Sequence, residues 1–192
     1  MRKSYEETLP AGYREAFAVD GTDRKHVRIS RIVSLASPVV AGVVSFFTIK
    51  PVDFVHSFNG ITILILVLSF FALTVLHELL HGAVYKIFTG KKLKFGSNSA
   101  AVYCCVPDIY VSRRCAIAVF VSPLVILAAL MTALIVFLGN DWHKFFAAVM
   151  LGVHIGDCAG DIYCAYLLLF RFRDRTTLMR DTGPEQVFYT KK

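Results

Sequence analysis

ITILILVLSFFALTVLHELLHGAVYKIF, residues Ile61–Phe88, decides the fold. Up to Leu76 the stretch holds no ionisable side chain. It exceeds the roughly 20 apolar residues that a helix needs to cross a bilayer. Near its end stands His77-Glu78-Leu79-Leu80-His81, an H-E-x-x-H pattern. Residues four apart share a helical face, so His77 and His81 can grip one metal ion with Glu78 alongside. Ionisable groups at membrane depth cost on the order of 2.5–3.5 kcal/mol each on insertion scales. His77, Glu78 and His81 lie so close together that they point to a chemical purpose.

The composition agrees with a membrane setting. The chain of 192 residues is 56% hydrophobic, above the 45–50% or so of soluble domains. Its net charge is +7, but Lys and Arg stand in blocks beside apolar spans, which is the membrane-flank pattern. No stacking or groove-reading motif supports a nucleic-acid partner. The polar first thirty residues lead us to expect no cleavable leader. The cysteines, Cys104, Cys105, Cys115, Cys158 and Cys164, are odd in number and include no C-x-x-C pair. A disulfide framework is not expected, and Cys158 and Cys164 read as small buried hydrophobes.

Four apolar spans are visible, at about Ile32–Ile49, Ile61–Phe88, Cys115–Leu138 with Pro123 inside, and Phe145–Phe170. No internal repeat is evident. The expected class is an all-α polytopic membrane protein with four transmembrane helices. It reads as one membrane-embedded metallopeptidase-like domain, residues 1–192, with an N-terminal segment (1–31), a four-span core (32–170) and a tail (171–192). Basic residues crowd the N-terminal segment, the connection after span two (Lys91, Lys92, Lys94, Arg113, Arg114) and the tail (Arg171, Arg173, Arg175, Arg180). The other two connections hold only Lys50 and Lys144. The positive-inside rule then puts both termini and the middle connection in the cytoplasm of a cell with this plasma membrane. Within that connection, Lys91–Phe95 alternates, Gly96-Ser97-Asn98-Ser99 is turn-like and Ala101–Val106 favours strand. This predicts a small cytoplasmic β-hairpin between helices 2 and 3.

A hydrolytic zinc centre takes three protein ligands and keeps a position for water. The candidates for the third ligand are His154, Asp157 and Asp161, whose spacing puts them on one face of a continuous helix. Gly152, Gly156 and Gly160 recur beside them, and such small-xxx-small ridges let membrane helices approach closely. At 1.5 Å per residue, His81 lies roughly 12–15 Å before the basic edge at Gly90–Lys92, and Asp161 about 15 Å before Arg171. Asp161 is therefore the first choice, Asp157 the alternative, and His154 suits a supporting or substrate-facing role. Zinc so held would acidify a water and polarise a carbonyl. Glu78, as base, would take the proton and pass it to the leaving amine.

These residues resemble a bacterial family of zincin peptidases of undefined function, itself distantly similar to the site-2 intramembrane metalloproteases. Leu9-Pro10-Ala11-Gly12-Tyr13 is similar to the family's L-P-x-G-Y, and His77–His81 followed by Gly82 to its zinc motif. Cys158-Ala159-Gly160-Asp161 resembles its small-G-D segment, and Arg180-Asp181-Thr182-Gly183 its D-T-G tail. The resemblance implies His77 and His81 as ligands, Glu78 as catalytic base and Asp161 as third ligand. It also implies zinc as cofactor and a protein or peptide substrate in or near the bacterial cell membrane. The late-span order Gly160-Asp161 departs from the L-D-G of site-2 proteases. The oligomeric state is not legible. Two other function classes could use the same residues. A catalytically silent partner-binding module would keep the fold, although an intact Glu78 argues against it. A metal or proton transporter more often shows repeated halves and broken helices, and neither is evident.

Overall fold

The computed structural model describes residues 4–20, 24–49, 59–97 and 102–191. In chain order these form β1 (Tyr5–Glu6), β2 (Tyr13–Asp20), α1 (Arg24–Ile49), α2 (Gly60–Thr89), β3 (Lys94–Ser97), β4 (Val102–Cys105), β5 (Tyr110–Ser112) and α3 (Arg113–Phe137). Then come α4 (Asp141–Asp157), α5 (Ala159–Tyr166), a π-helical turn (Leu167–Arg171), β6 (Leu178–Asp181) and β7 (Glu185–Lys191). They divide into two compact units. One comprises Met1–Ile29, Glu78–Pro123 and Gly160–Lys192, the other Ser30–His77 and Leu124–Ala159.

Among the described residues three helices are long and apolar enough to cross a membrane, and the bent pair α4–α5 makes a fourth candidate. Leu35, Val39 and Phe47 of α1, Leu64 and Phe71 of α2, and Val125 and Val136 of α3 all stand exposed. Apolar surface so extensive suits contact with lipid.

The first unit holds a sheet that the all-α expectation did not include. Five strands run in the order β1-β5-β6-β7-β2, with every pairing antiparallel. One row of partners crosses all of them: Tyr5, Val111, Met179, Phe188 and Phe17. Period-2 alternation puts that row on one face. Val111, Met179 and Phe188 are buried there, with Val119, Phe120, Leu168 and Phe172, as one apolar core. Phe172 stacks on Phe188 with ring centroids 5.3 Å apart. The N-terminal segment and the tail therefore both contribute strands to this sheet. The L-P-x-G-Y stretch makes the turn into β2: Tyr13 N–H donates to the Pro10 carbonyl at 3.3 Å, and Gly12 takes φ +83°, which favours glycine. The π-helical turn is closed by Arg113, whose Nε donates to the carbonyls of Leu168 at 2.8 Å and Phe172 at 3.1 Å.

The expected hairpin is present in the same unit. β3 and β4 pair antiparallel, from Lys94 opposite Cys105 to Ser97 opposite Val102. Gly96 and Ser97, expected in the turn, belong to β3, and residues 98–101 lie outside the described residues.

The second unit shows what the glycine ridge does. A Cβ added to Gly152 would come within 2.8 Å of the Ser37 carbonyl oxygen, and one on Gly156 within 2.8 Å of Ser34 Cα. These glycines let α4 approach α1, which carries no part of the H-E-x-x-H motif. The fourth span is also not one straight helix. It bends by 47° between α4 and α5, at Cys158. The Ser34 hydroxyl donates to the Gly156 carbonyl at 2.9 Å, taking the acceptor that the Gly160 amide would use in an unbroken helix. A side chain inserted into the helical ladder is an established cause of kinks, and Gly156 and Gly160 weaken the ladder further.

Candidate metal centre

α2 carries His77, Glu78 and His81 on one helical stretch, with a ligand atom from each within 4.8 Å of the others. Both histidines are buried and Glu78 is half-buried. Burying two imidazoles in so apolar a helix requires polar partners, and the first unit supplies those of His81.

His81 Nδ1 lies 2.9 Å from the Val119 backbone oxygen. A carbonyl can only accept, so Nδ1 carries a proton, and Nε2 is the nitrogen left to take a metal. Pro123 makes that carbonyl available. In α3 the Val119 oxygen would ordinarily accept from residue 123, and proline has no N–H to give. Ser122 Oγ donates to the same oxygen at 3.0 Å. The sequence offered Pro123 only as a residue inside a span; its use is visible once α3 packs on α2.

His81 Nε2 faces Asp161 Oδ2 at 3.3 Å. The Asp161 side chain is 15% exposed and belongs to the first turn of α5. Tetrahedral zinc, with nitrogen and oxygen ligands at about 2.0–2.1 Å, sets two ligand atoms roughly 3.3–3.4 Å apart. Nε2 of His81 and Oδ2 of Asp161 thus have the spacing that two ligands of one zinc ion would have. Fixing a metal-binding imidazole through its other nitrogen is the usual outer-shell device.

Within the second unit, His77 meets other groups. Its Nδ1 lies 3.8 Å from Cys158 Sγ, and its ring stands edge-on to that of His154 with centroids 5.7 Å apart. His154 is fully buried at 0% exposure, whereas Asp157, next to the bend, is exposed. Within α4, then, His154 faces the buried side and Asp157 does not. Cys158, read from sequence as a small hydrophobe, stands between two imidazoles. The i, i+4 spacing of His154 and Cys158 was the available signal.

Two further contacts hold the motif helix within the first unit. A Cβ on Gly82 would meet Cys104 Sγ and Leu93 Cδ1 at 3.0 Å each, so the glycine after His81 lets the hairpin lie close against α2. Burial pushes the Cys104 and Cys105 thiols up to about 12. They stay protonated at neutral pH and are poor nucleophiles. One turn beyond His81, the Tyr85 hydroxyl donates to Asp181 Oδ2 at 2.6 Å. Asp181 also accepts from the Gly183 amide at 2.9 Å. The D-T-G stretch is thus the β6–β7 turn, with Gly183 at φ +95°, and its carboxylate is anchored to the motif helix.

The family profile described as "Putative zincin peptidase" matches residues 70–175, more than half of the chain. The chain belongs to this zincin family. The matched segment takes in the H-E-x-x-H helix, the hairpin, α3 and both arms of the bent helix. Neither the curated proteins nor the solved structures contain a match to the chain. Zincin membership implies a zinc cofactor, and the donors found here, imidazole with carboxylate or thiol, are zinc ligands.

Proposed function

We propose that this zincin is a membrane-embedded endopeptidase, distantly akin to the site-2 proteases, that cleaves proteins in or near a bacterial cell membrane. His77, His81 and Asp161 are the proposed zinc ligands, and Glu78 the general base. The observation that carries this reading is the 3.3 Å approach of His81 Nε2 to Asp161 Oδ2, with Nδ1 tied to Val119. When bound, zinc supplies a Lewis acid that acidifies water and polarises a scissile carbonyl. Glu78 takes the proton of the attacking water and delivers it to the departing amine. Val119 holds His81 in one tautomer and one orientation throughout.

The hairpin suits the substrate. A peptide bond in a helix is shielded by its own hydrogen bonds, so cleavage favours an extended chain. Among the described residues β3 and β4 pair only with each other, which leaves each an outer edge for an added strand. Gly82 brings that hairpin against the motif helix.

The charge distribution supports four spans with both termini in the cytoplasm. Reporter fusions after Lys192 and within Phe54–Asn59 should report opposite compartments. The activity is tested by comparing membrane proteomes of cells carrying the native chain and Glu78→Gln. Trimmed membrane proteins should depend on Glu78, and identical proteomes would remove the peptidase reading.

The 47° break in the last span favours one alternative, metal transport, since transporters bind ions at interrupted helices. One tightly held zinc per chain with no ion flux into vesicles argues for the peptidase. Exchangeable binding with flux argues for the transporter.

A further inference from the structure

The proposed peptidase chemistry leaves Cys158 and His154 without a task. Both are fully buried in the second unit, and Cys158 ends the last turn of α4, where its amide donates to the His154 carbonyl at 3.0 Å. The i, i+4 relation puts thiol and imidazole on one face. Cys158 Sγ lies 3.6 Å from His154 Nε2 and 3.8 Å from His77 Nδ1. One ligand atom from each of the three residues lies within 4.8 Å of the others. Zinc with nitrogen at about 2.0–2.1 Å and sulfur at about 2.3 Å sets such a pair roughly 3.6 Å apart in a tetrahedron.

We propose that His77, His154 and Cys158 form a second ligand set, which seats a thiophilic divalent ion such as zinc, cadmium or cobalt. Soft thiolate with imidazole selects such ions over magnesium or calcium. The metal–sulfur bond forms as the thiol proton leaves to solvent. The set shares His77 with the proposed peptidase ligands. A neutral imidazole has one lone pair to give, so an ion on the thiolate set withdraws His77 from peptide hydrolysis and holds the enzyme at rest. That consequence rests on the peptidase reading; the site itself does not.

The test uses the full-length protein in detergent, loaded with cobalt. His81→Ala/Asp161→Ala removes two of the proposed peptidase ligands and leaves the thiolate set whole. This variant should bind cobalt and show a near-ultraviolet thiolate-to-cobalt charge-transfer band. Cys158→Ser and His154→Ala, added singly and checked for helicity by circular dichroism, should abolish it. A cobalt-bound form without the band would overturn the proposal, as would a band that survives Cys158→Ser. Should those added variants fail to fold, the His81→Ala/Asp161→Ala protein decides alone, by the presence or absence of the band. Failure of the peptidase reading appears separately, as cleavage indifferent to Glu78→Gln, and leaves this spectrum unchanged.

Discussion

His81 donates its Nδ1 proton to the Val119 carbonyl at 2.9 Å, and Pro123 is what leaves that carbonyl free of its helical partner. Pro123→Ala restores an amide that competes for the Val119 oxygen. The variant should be at least as stable to heat, since proline in a helix interior costs about 3 kcal/mol. It should nevertheless bind zinc more weakly, by the roughly 10–100-fold typical of lost outer-shell support. Zinc affinity measured against a chromophoric chelator decides the matter. Unchanged affinity would mean that the Val119 contact does not orient His81.

The proposed ligand set separates two aspartates that the sequence alone offers as alternatives. Asp161 faces His81, while Asp157 is exposed beside the bend. Asp161→Ala should sharply lower the zinc content of the purified protein, because one lost ligand removes much of a three-ligand site. Asp157→Ala should keep it. Elemental analysis giving the reverse pattern would move the third ligand to Asp157.

The motif helix, the apolar spans and the hairpin were legible because each is local. Hydropathy marks a span, and alternation over Lys91–Phe95 followed by the turn-like Gly96-Ser97-Asn98-Ser99 marks a hairpin. The five-stranded sheet was not legible, because its strands come from three distant segments and are as short as Tyr5–Glu6. In β2 the alternation is also interrupted by a register shift between Glu15 and Phe17. Of the candidate site, the His77–Glu78–His81 trio was plain from spacing. The place of Cys158 was less plain, since a lone cysteine in an apolar span reads as a small hydrophobe even at i, i+4 from His154. Pro123 was visible, but its use depends on which helix lies opposite.

The glycine ridge gives a contrast within one short stretch. Gly152 has backbone of α1 where a Cβ would go, whereas Gly160 has nothing within 4 Å. Gly152→Ala should destabilise the protein by about 1–3 kcal/mol, as overpacking does. Gly160→Ala should be neutral or gain up to about 1 kcal/mol of helix propensity. Thermal unfolding in detergent tests both. Equal effects would mean that the ridge does not set the approach of α1.

Asp181 should make stability depend on pH. Burial pushes its carboxyl above the ordinary range, while hydrogen bonds from Tyr85, the Gly183 amide and Gln186 pull the other way. The folded value thus lies above the unfolded value of about 3.9. The stabilising contribution is then fully present below the unfolded value and is lost as pH rises through the folded one. Relative to Asp181→Asn, the native protein should lose melting temperature as pH rises from about 4 through that window. Tyr85→Phe removes one donor to the carboxylate, which should cost about 1–3 kcal/mol and extend the window upward. A melting-temperature gap that does not change with pH would show that Asp181 titrates in the folded protein as it does in the unfolded chain.

The proposed substrate edge can be tested without touching the metal ligands. Tyr103 is a poor place to interrupt β4. Its ring occupies the space where a Cβ on Gly96 or Gly183 would go, so a change there would disturb the β6–β7 turn as well. Val102 pairs with Ser97 at the far end of the hairpin and is exposed. Val102→Pro removes a backbone donor from β4 and should lower cleavage of membrane substrates severalfold at unchanged zinc content. Parallel loss of zinc would assign the hairpin a structural role in holding α2. Cleavage at the native rate would mean that substrates do not dock on β4 as an added strand.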